Sequence, residues 1–213
     1  ISMGGFDFIE TEIRRIVEHG LNHMRPSVIG CIHVASVSLI ADFLGVPGRI
    51  STFSNSCVGG LDAIADVARQ IREGDADVGL AGASVAPVVT CLMSGFCAAR
   101  MLSTRNDHPE RASRPFDLHR DRGVLAEGSA VVVLESLDHA LARGAAPYME
   151  ICSGADAVDA PCRDVSGLAD ASRQALAHAG MAPADIVGIF AHGPSDIDTD
   201  RAECRCIEEV WGS

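Results

Sequence analysis

The sequence predicts an α/β protein in which helices cover a mostly parallel sheet. Short apolar runs typical of strands alternate along the chain with stretches whose apolar residues recur at helical spacing. The composition, with 47% apolar, 22% charged and 4% aromatic residues, is that of an ordered globular protein. At 213 residues the chain is long enough to bury a sizeable core without disulfides or metals.

The first part of the chain carries the clearest alternation of helix and strand. Helical spacing predicts helices over residues 7–18, 27–44 and 59–73, and the last two are each followed by a glycine, a common helix stop. A short strand is predicted over residues 50–54, and a continuous apolar run predicts a strand over residues 78–83. These two strands and the helix between them form a predicted βαβ unit.

The second part of the chain begins with a polar segment, residues 104–123, which contains Pro109 and Pro115 and predicts a long ordered loop. Loops of this length usually serve a function. The alternation then resumes, with strands predicted over residues 129–134, 148–152 and 186–190 and helices over 137–143, 164–179 and 198–210. Ligands in such sheets bind beyond the carboxyl ends of strands, so we expect the functional site at those ends.

Charge and hydropathy exclude several classes of function. The net charge of −12 opposes binding to nucleic acid. The longest apolar run, residues 28–41, has about 14 residues, fewer than the roughly 20 that span a bilayer, so no membrane segment is expected. No export signal precedes the chain's apolar runs, so we expect a cytoplasmic protein whose eight cysteines are reduced thiols.

Cys57 is the first candidate catalytic residue. It lies in the segment SNSCVGG, residues 54–60, where the first strand of the βαβ unit passes into the helix. A helix N-terminus carries about half a positive charge and free N–H groups, which favour a thiolate and can bind an oxyanion. Gly59 and Gly60 keep side-chain bulk away from a substrate that approaches the sulfur. The alternative is an inert cysteine buried in a tight turn.

His192 is the second candidate, because it follows directly after the strand predicted over residues 186–190. If the two strands share a direction, His192 points to the face on which Cys57 lies. A neutral imidazole there can polarise a thioester carbonyl or transfer a proton. The alternative is a hydrogen-bonded structural histidine, and the combination of Cys57 with His192 is better evidence than either residue alone.

A group of arginines stands out in this acidic chain, and it has two interpretations. It could attract an acidic carrier or a phosphate-bearing arm, or it could form internal salt bridges that hold the loop in place. The arginines are Arg100, Arg105, Arg111, Arg114, Arg120 and Arg122.

Neither a metal site nor a nucleotide site is predicted. Cys204 and Cys206 are two residues apart on a predicted helix and therefore face different directions. No glycine motif stands between a predicted strand and a helix in the manner of a dinucleotide fold.

Several motifs, in this order along the chain, resemble those of the 3-oxoacyl-[acyl-carrier-protein] synthases, the elongating condensing enzymes of fatty-acid and type II polyketide synthesis. The matching segments are Gly4-Gly5, Ser56-Cys57 with Gly59-Gly60-Leu61-Asp62-Ala63, Glu73-Gly74-Asp75-Ala76-Asp77-Val78 with Ala81-Gly82, Gly95-Phe96, Leu102-Ser103-Thr104-Arg105-Asn106-Asp107, Ala112-Ser113-Arg114-Pro115-Phe116-Asp117, Glu127-Gly128, Ala191-His192-Gly193, Asp200 and Glu203.

The resemblance implies a layered α/β/α/β/α thiolase-like fold, present here in part. Residues 1–135 resemble the later part of the N-terminal half and residues 136–213 the start of the C-terminal half. Family members are longer, so we expect an internal fragment that lacks both ends, with a lysine, a second histidine and a Gly-Phe loop beyond Ser213.

The resemblance also implies the reaction and its residues. Cys57 would accept an acyl group from acyl carrier protein, and the enolate formed when a malonyl thioester loses CO2 would attack it, with His192 stabilising the enolate oxygen. By position, Phe96 and Met3 would line the acyl pocket. Ser195 would contact the substrate, and Arg100 would contact the carrier protein.

The same resemblance implies no cofactor, since phosphopantetheine arrives on the carrier protein. It implies a homodimer or a heterodimer of related subunits, joined by the strand over residues 78–83.

The chain departs from the family pattern at the substrate entrance. Where the family usually has His-Gly-Thr-x-Thr, Pro194 and Asp196 replace the two hydroxyl residues, which hold the pantetheine arm in the family. The loop before Asp164 also lacks the family's Tyr-His-x-Thr. These changes keep two other functions open: a non-condensing partner subunit, and an acyltransferase that does not decarboxylate.

Overall fold

The computed structural model describes residues 6–26, 28, 33–159 and 166–212. The helices are α1 (Phe6–His19), α2 (His33–Leu44), α3 (Gly59–Glu73), α4 (Thr90–Ala98), α5 (Leu137–Ala142), α6 (Ser166–Ala179) and α7 (Ile197–Trp211). The strands are β1 (Val78–Val85) and β2 (Gly128–Glu135). Every predicted helix is present in some form, and α3 has the predicted bounds. None of the helices in these ranges is long and apolar enough to cross a membrane.

The described part of the chain divides into two units. The first runs up to Ser94 and includes Ala126–Glu150, whereas the second consists of Gly95–Leu125 and the chain from Ile151 onward. The division therefore does not follow chain order, because the segment before β2 belongs to the second unit.

The first unit is built on an antiparallel pair of strands with α3 packed on one face. β1 pairs with β2 from Val78 opposite Glu135 to Val85 opposite Gly128. The helix approaches β1 so closely that a Cβ added at Gly60 would lie 3.2 Å from the Cβ of Ala83. Small residues therefore set the separation of helix and sheet.

The predicted parallel sheet and βαβ unit are wrong for the part of the chain described here. The apolar segments at residues 50–54, 148–152 and 186–190 are not strands, and the single sheet is antiparallel. A strand requires a ladder of hydrogen bonds to a neighbouring strand, and the strands of the described residues are β1 and β2 alone. Phe190 and Tyr148 are correspondingly fully exposed.

The helices end where the sequence signals predict. α3 stops at Gly74, whose positive φ of 77° lets its N–H bond back to the carbonyls of Gln70 and Ile71. The second helix is shorter than predicted and begins at His33, while residue 27 and residues 29–32 lie outside the described residues.

The second unit has its apolar core between α6 and α7. Ala169 and Leu176 of α6 pack with Cys206 and Val210 of α7, and Trp211 packs against this group from its edge. The buried face of α7 continues toward its N-terminus as two carboxylates, Asp200 and Glu203. These acidic residues point to the segments that carry the candidate site.

Candidate functional site

Cys57 lies in a short 3₁₀ turn, Ser56–Val58, that leads directly into α3. Its side chain is exposed, and its Sγ lies 3.7 Å from Ser56 Oγ. Ser56 has a φ of 53°, a conformation that non-glycine residues rarely adopt and that is often found at functional sites. The exposure of Cys57 favours the reactive cysteine over the buried, inert one.

The amides at the start of α3 receive no side-chain cap from Val58. The N–H of Gly59 donates to the carbonyl of Ser56, and the binding of an anion by the other amides at this helix start stays a prediction. Of the two glycines, Gly59 is buried and Gly60 faces Ala83 of β1. Gly60 allows close packing of the helix on the sheet, and the role of the two glycines in admitting a substrate to the sulfur stays a prediction.

The turn that carries His192 is held by the carboxylate of Glu203 on α7. His192 N donates to Glu203 Oε1 at 2.6 Å, and Gly193 N donates to Oε2 at 2.8 Å. Glu203 is only 7% exposed, whereas the side chain of His192 is exposed. One buried carboxylate thus fixes the backbone of the turn and leaves the imidazole free to meet a substrate.

Gly193 is confined by the loop that precedes β2. Its φ is 48°, and an added Cβ would lie 3.1 Å from the Cβ of Pro115 and 3.2 Å from Cε2 of Phe116. Phe116 also has a positive φ, 62°. Phe116 is therefore a strained backbone position beside His192, and only a glycine fits opposite it at position 193.

Ser195 lies at the centre of a second hydrogen-bond group and is fully buried. Its N–H donates to Asp200 Oδ1 at 3.1 Å, and its Oγ accepts from Arg114 N at 3.0 Å. Asp200 Oδ2 accepts from Phe116 N at 2.8 Å and forms an ion pair with Arg120 Nε at 3.0 Å. Asp200 therefore ties the 114–120 loop to the His192 turn.

The roles of Asp200 and Glu203 were not predicted from the sequence beyond their place in a family motif. Two acidic residues three apart fall on one face of a helix, and here that face also carries Cys206 and Val210. An acidic pair in line with the apolar face of an amphipathic helix is the signal that could have identified them.

Asp196 is the N-cap of α7. Its Oδ1 accepts from Asp198 N at 3.1 Å and from the backbone N and Oγ1 of Thr199, both at 3.0 Å. Burial alone would raise the pKa of this carboxyl, but the hydrogen bonds from Thr199 and Asp198 and the charge of Arg122 lower it. The residue that replaces a hydroxyl of the family motif is therefore an anion committed to capping a helix.

Half of the arginine group forms internal contacts, as the second interpretation predicts. Arg105 donates to the carbonyl of His119 at 2.7 Å, Arg114 pairs with Asp117 at 3.3 Å, and Arg120 is the partner of Asp200. Arg100 is exposed and has a positive φ of 56°, so its side chain is accessible to a partner.

The structure assigns the predicted site residues to different units. Phe96, which is half-buried, lies in the second unit together with Arg100, His192 and Ser195, whereas Cys57 lies in the first. The pairing of Cys57 with His192 stays a prediction, and so do the substrate and carrier contacts. Met3, the remaining predicted site residue, lies outside the described residues.

No group of three His, Cys, Asp or Glu side chains able to hold a metal ion occurs within residues 6–26, 33–159 and 166–212.

Comparison with known proteins identifies the family. The model described as beta-ketoacyl synthase, N-terminal domain, matches residues 3–140, and the model described as beta-ketoacyl synthase, C-terminal domain, matches residues 146–213. Because the two models together cover nearly the whole chain, the chain belongs to the beta-ketoacyl synthase family.

Individual relatives agree with this assignment. The chain is 37% identical over 219 residues to 3-oxoacyl-[acyl-carrier-protein] synthase 2 of Vibrio cholerae, an alignment that takes in 99% of this chain and 52% of the relative. It is 35% identical over 217 residues to 3-oxoacyl-[acyl-carrier-protein] synthase I, chloroplastic, of Arabidopsis thaliana, with 99% of this chain and 46% of the relative covered. The chain thus spans about half the length of the curated relatives it matches.

A solved structure confirms the fold. The chain superposes, with a TM-score of 0.93 and 30% identity, on a type II polyketide synthase ketosynthase bound to a hexaketide and in complex with its acyl-carrier protein. The match covers 100% of this chain and 56% of that one. The predicted thiolase-like fold is therefore correct, in the part that this chain contains.

Proposed function

We propose that this chain belongs to a 3-oxoacyl-[acyl-carrier-protein] synthase that acylates Cys57 and then condenses the acyl group with a malonyl thioester. The observation that carries this proposal is an exposed Cys57 at the uncapped start of α3, in a chain of the beta-ketoacyl synthase family. A reachable sulfur at the start of a helix is what nucleophilic acyl transfer by a cysteine requires.

The reaction proceeds in two stages. In the first, the Cys57 thiolate attacks the carbonyl of the acyl thioester, and the carrier thiolate leaves. In the second, a malonyl thioester loses CO2, and the electron pair of the broken C–C bond forms an enolate. Its carbon attacks the Cys57 thioester, the new C–C bond forms, and the Cys57 thiolate is released. His192 stabilises the enolate oxygen while the charge develops.

Two solved relatives support the proposed partners. One matching structure is a ketosynthase in complex with its acyl-carrier protein, and another, with a TM-score of 0.88 and 28% identity, is a ketosynthase/chain length factor. We propose acyl carrier protein as the substrate carrier and a homodimer or a related heterodimer as the assembly. The cytoplasm is its proposed location, and no cofactor is proposed beyond the carrier's phosphopantetheine.

A non-condensing partner subunit is the second candidate. Pro194 brings no hydroxyl to the His192 turn, and the carboxylate of Asp196 is engaged in capping α7. A turn altered in this way favours a subunit that shapes the pocket of a paired synthase, whereas the retained Cys57 favours the catalytic role.

The test is intact-mass measurement of the protein after incubation with acyl carrier and acyl thioester donors. We expect a mass increase of one acyl group in the wild type and none in Cys57→Ala, with Cys152→Ala as the control because Cys152 is also exposed. Product analysis with a malonyl donor then separates condensation from simple acyl transfer. No adduct on Cys57, under conditions that load a known ketosynthase, would refute the proposal.

A further inference from the structure

Two non-glycine residues near His192 have left-handed backbone conformations. Phe116 has a φ of 62° and Ser195 a φ of 69°, and such conformations persist only where the surrounding contacts hold them. Both residues donate their N–H groups to the same carboxylate. Ser195 N donates to Asp200 Oδ1 at 3.1 Å, and Phe116 N donates to Asp200 Oδ2 at 2.8 Å. One side chain therefore holds both strained positions.

The carboxylate of Asp200 is fully buried, and it pairs with the guanidinium of Arg120. Arg120 Nε lies 3.0 Å from Asp200 Oδ2 as an ion pair without hydrogen-bond geometry, and the Arg120 side chain is only 14% exposed. A buried carboxylate is costly unless an opposite charge and hydrogen bonds compensate it, and removal of the partner charge leaves that cost in place. Arg120 therefore supports the charged acceptor on which Phe116 and Ser195 depend.

The other two nitrogens of the Arg120 guanidinium join the loop to the start of α7. Nη1 donates to the carbonyl of Asp117 at 2.8 Å, and Nη2 donates to the carbonyl of Ile197, the first residue of α7, at 3.1 Å. A planar guanidinium with fixed donor directions can make these bonds and the ion pair together. The position of Arg120 is thus fixed both by its own loop and by the helix that carries Asp200.

Phe116 and Ser195 connect this ion pair to His192. A Cβ added at Gly193 would lie 3.2 Å from Cε2 of the Phe116 ring, so the ring lies directly against the residue after His192. Ser195, two residues further along the same turn, is held by Asp200. A change in the backbone at Phe116 or Ser195 would therefore move the surface and the chain that support the imidazole.

We propose that Arg120 is a positioning residue of the candidate site. Through its ion pair with Asp200 it keeps Phe116 and Ser195 in their strained conformations, and it thereby fixes the backbone beside His192. Arg120 does not itself touch the reacting atoms. The kinetic consequence of this inference rests on the proposed function, whereas its structural consequence can be measured independently of any activity.

Two substitutions of Arg120 separate its charge from its shape. Arg120→Gln removes the charge and leaves the buried carboxylate of Asp200 without this cation. Arg120→Lys keeps a positive charge but replaces the planar fork by a single ammonium group. The matched control is Arg201→Gln, because Arg201 is an exposed arginine on α7, and its ion pair with Asp198, at 3.7 Å, lies at the surface.

Hydrogen exchange measures whether the two strained positions are held. We expect the amides of Phe116 and Ser195 to exchange about tenfold faster in Arg120→Gln than in the wild type and in Arg201→Gln, because their acceptor becomes an unpaired buried charge. In Arg120→Lys the increase should be less than about threefold, since a charge beside Asp200 is kept. The double variant Arg120→Gln/Asp200→Asn should stay within about twofold of Asp200→Asn, because Arg120 acts on these amides through Asp200.

Kinetics of the full chain gives a readout that general damage to the fold would not produce. In Arg120→Gln we expect kcat for malonyl decarboxylation to fall about tenfold, while KM for the malonyl donor stays within about twofold. Acyl loading of Cys57 should also stay within about twofold, because Arg120 acts on the His192 turn. An equal loss of both steps would overturn the proposal.

The exchange data give further contrary outcomes. Unchanged exchange at Phe116 and Ser195 in Arg120→Gln would overturn the proposal, and so would additive effects in the double variant. If Arg120→Gln does not fold, Arg120→Lys decides: protection of both amides close to that of the wild type supports the ion pair, and loss of protection refutes it. Failure of the wild type to load Cys57 would refute the proposed function and leave the exchange result to decide the role of Arg120.

Discussion

The carboxylate of Glu203 is the most informative side chain to alter, because it binds two consecutive backbone amides at 2.6 and 2.8 Å and nothing else among the described groups replaces it. Glu203→Gln keeps the shape and one carbonyl acceptor. The second acceptor becomes an NH2 group, so either His192 N or Gly193 N then faces a donor. The change therefore removes one hydrogen bond and leaves one amide without a partner.

The magnitude follows from the strength of these bonds. A hydrogen bond to a charged group contributes about 1.5–3 kcal/mol, and a buried polar group left without a partner costs about 1–3 kcal/mol. Since the surviving bond also becomes neutral, we expect Glu203→Gln to lower the free energy of unfolding by about 2–3 kcal/mol. If half of this cost appears as misplacement of His192, the decarboxylation step slows by about tenfold.

The assay compares two steps of the proposed reaction in one protein. Acyl loading of Cys57 is followed by intact mass, and decarboxylation of a malonyl thioester is followed by CO2 release. We expect the second to fall much more than the first, because Glu203 contacts the His192 turn. Glu208→Gln, an exposed change on the same helix, should leave both steps and the unfolding midpoint unchanged.

Equal loss of both steps would show that Glu203→Gln damages the fold as a whole and does not act through His192. The second contrary result is a decarboxylation rate within about twofold of the wild type in a variant whose unfolding midpoint has fallen. This result would refute the link between Glu203 and His192. It would mean that the position of the turn does not depend on this carboxylate.

Three further predictions concern thiols, backbone strain and acid. Iodoacetamide should modify the exposed Cys57 rapidly but Cys206 only after unfolding. Cys206 is 1% exposed, and its burial raises the pKa of its thiol. Peptide mass mapping over time measures the two rates of modification. Gly193→Ala should lower the free energy of unfolding by about 1–3 kcal/mol, because φ is positive at that position. The control Gly188→Ala, whose added Cβ would meet no neighbour, should lower it by less than about 1 kcal/mol. Denaturant titration measures both. The hydrogen bonds to Asp196 hold its folded-state pKa below its unfolded value, so its stabilising contribution is complete above the unfolded pKa and is lost as the pH falls through the folded one. Denaturant titration at decreasing pH should therefore show the wild type losing more stability than Asp196→Asn over this acid range.

The helices were predictable because their signals are local. The helix over residues 59–73 has the same bounds in sequence and structure, since its apolar spacing ends at Gly74 and that glycine takes the left-handed conformation that closes a helix. The turn that presents Cys57 was predictable for the same reason, because it follows from the position of the helix start.

The strands were less predictable because a strand depends on a neighbour. Residues 186–190 have the apolar composition of a strand, yet Val187 and Phe190 are fully exposed and unpaired among the described residues. Composition reports that a segment is suited to a sheet, whereas the ladder of hydrogen bonds depends on another segment being beside it. The antiparallel direction of β1 and β2 likewise depends on pairing that periodicity does not encode.

The support of the candidate site was also hidden in the sequence. In the sequence, Asp196 stands where the family motif has a hydroxyl residue, and nothing indicates a further role. In the structure, its side chain caps α7. Glu203 has the spacing of an ordinary charged residue on an amphipathic helix, and its role requires knowing that the His192 turn lies against that helix. These contacts join residues that are close in sequence. They form only because of the angle at which the chain enters the helix, and that angle cannot be read from the sequence.

The carboxylates of Asp200 and Glu203 on α7 accept hydrogen bonds from main-chain N–H groups, which every residue except proline possesses. A change of side chain at His192 therefore leaves these bonds in place so long as the two acids on the helix persist, whereas Gly193 is confined by Pro115 and Phe116. Pro194 stands at a position from which neither acid takes a bond, and so a residue without an N–H is accommodated there within the same backbone frame.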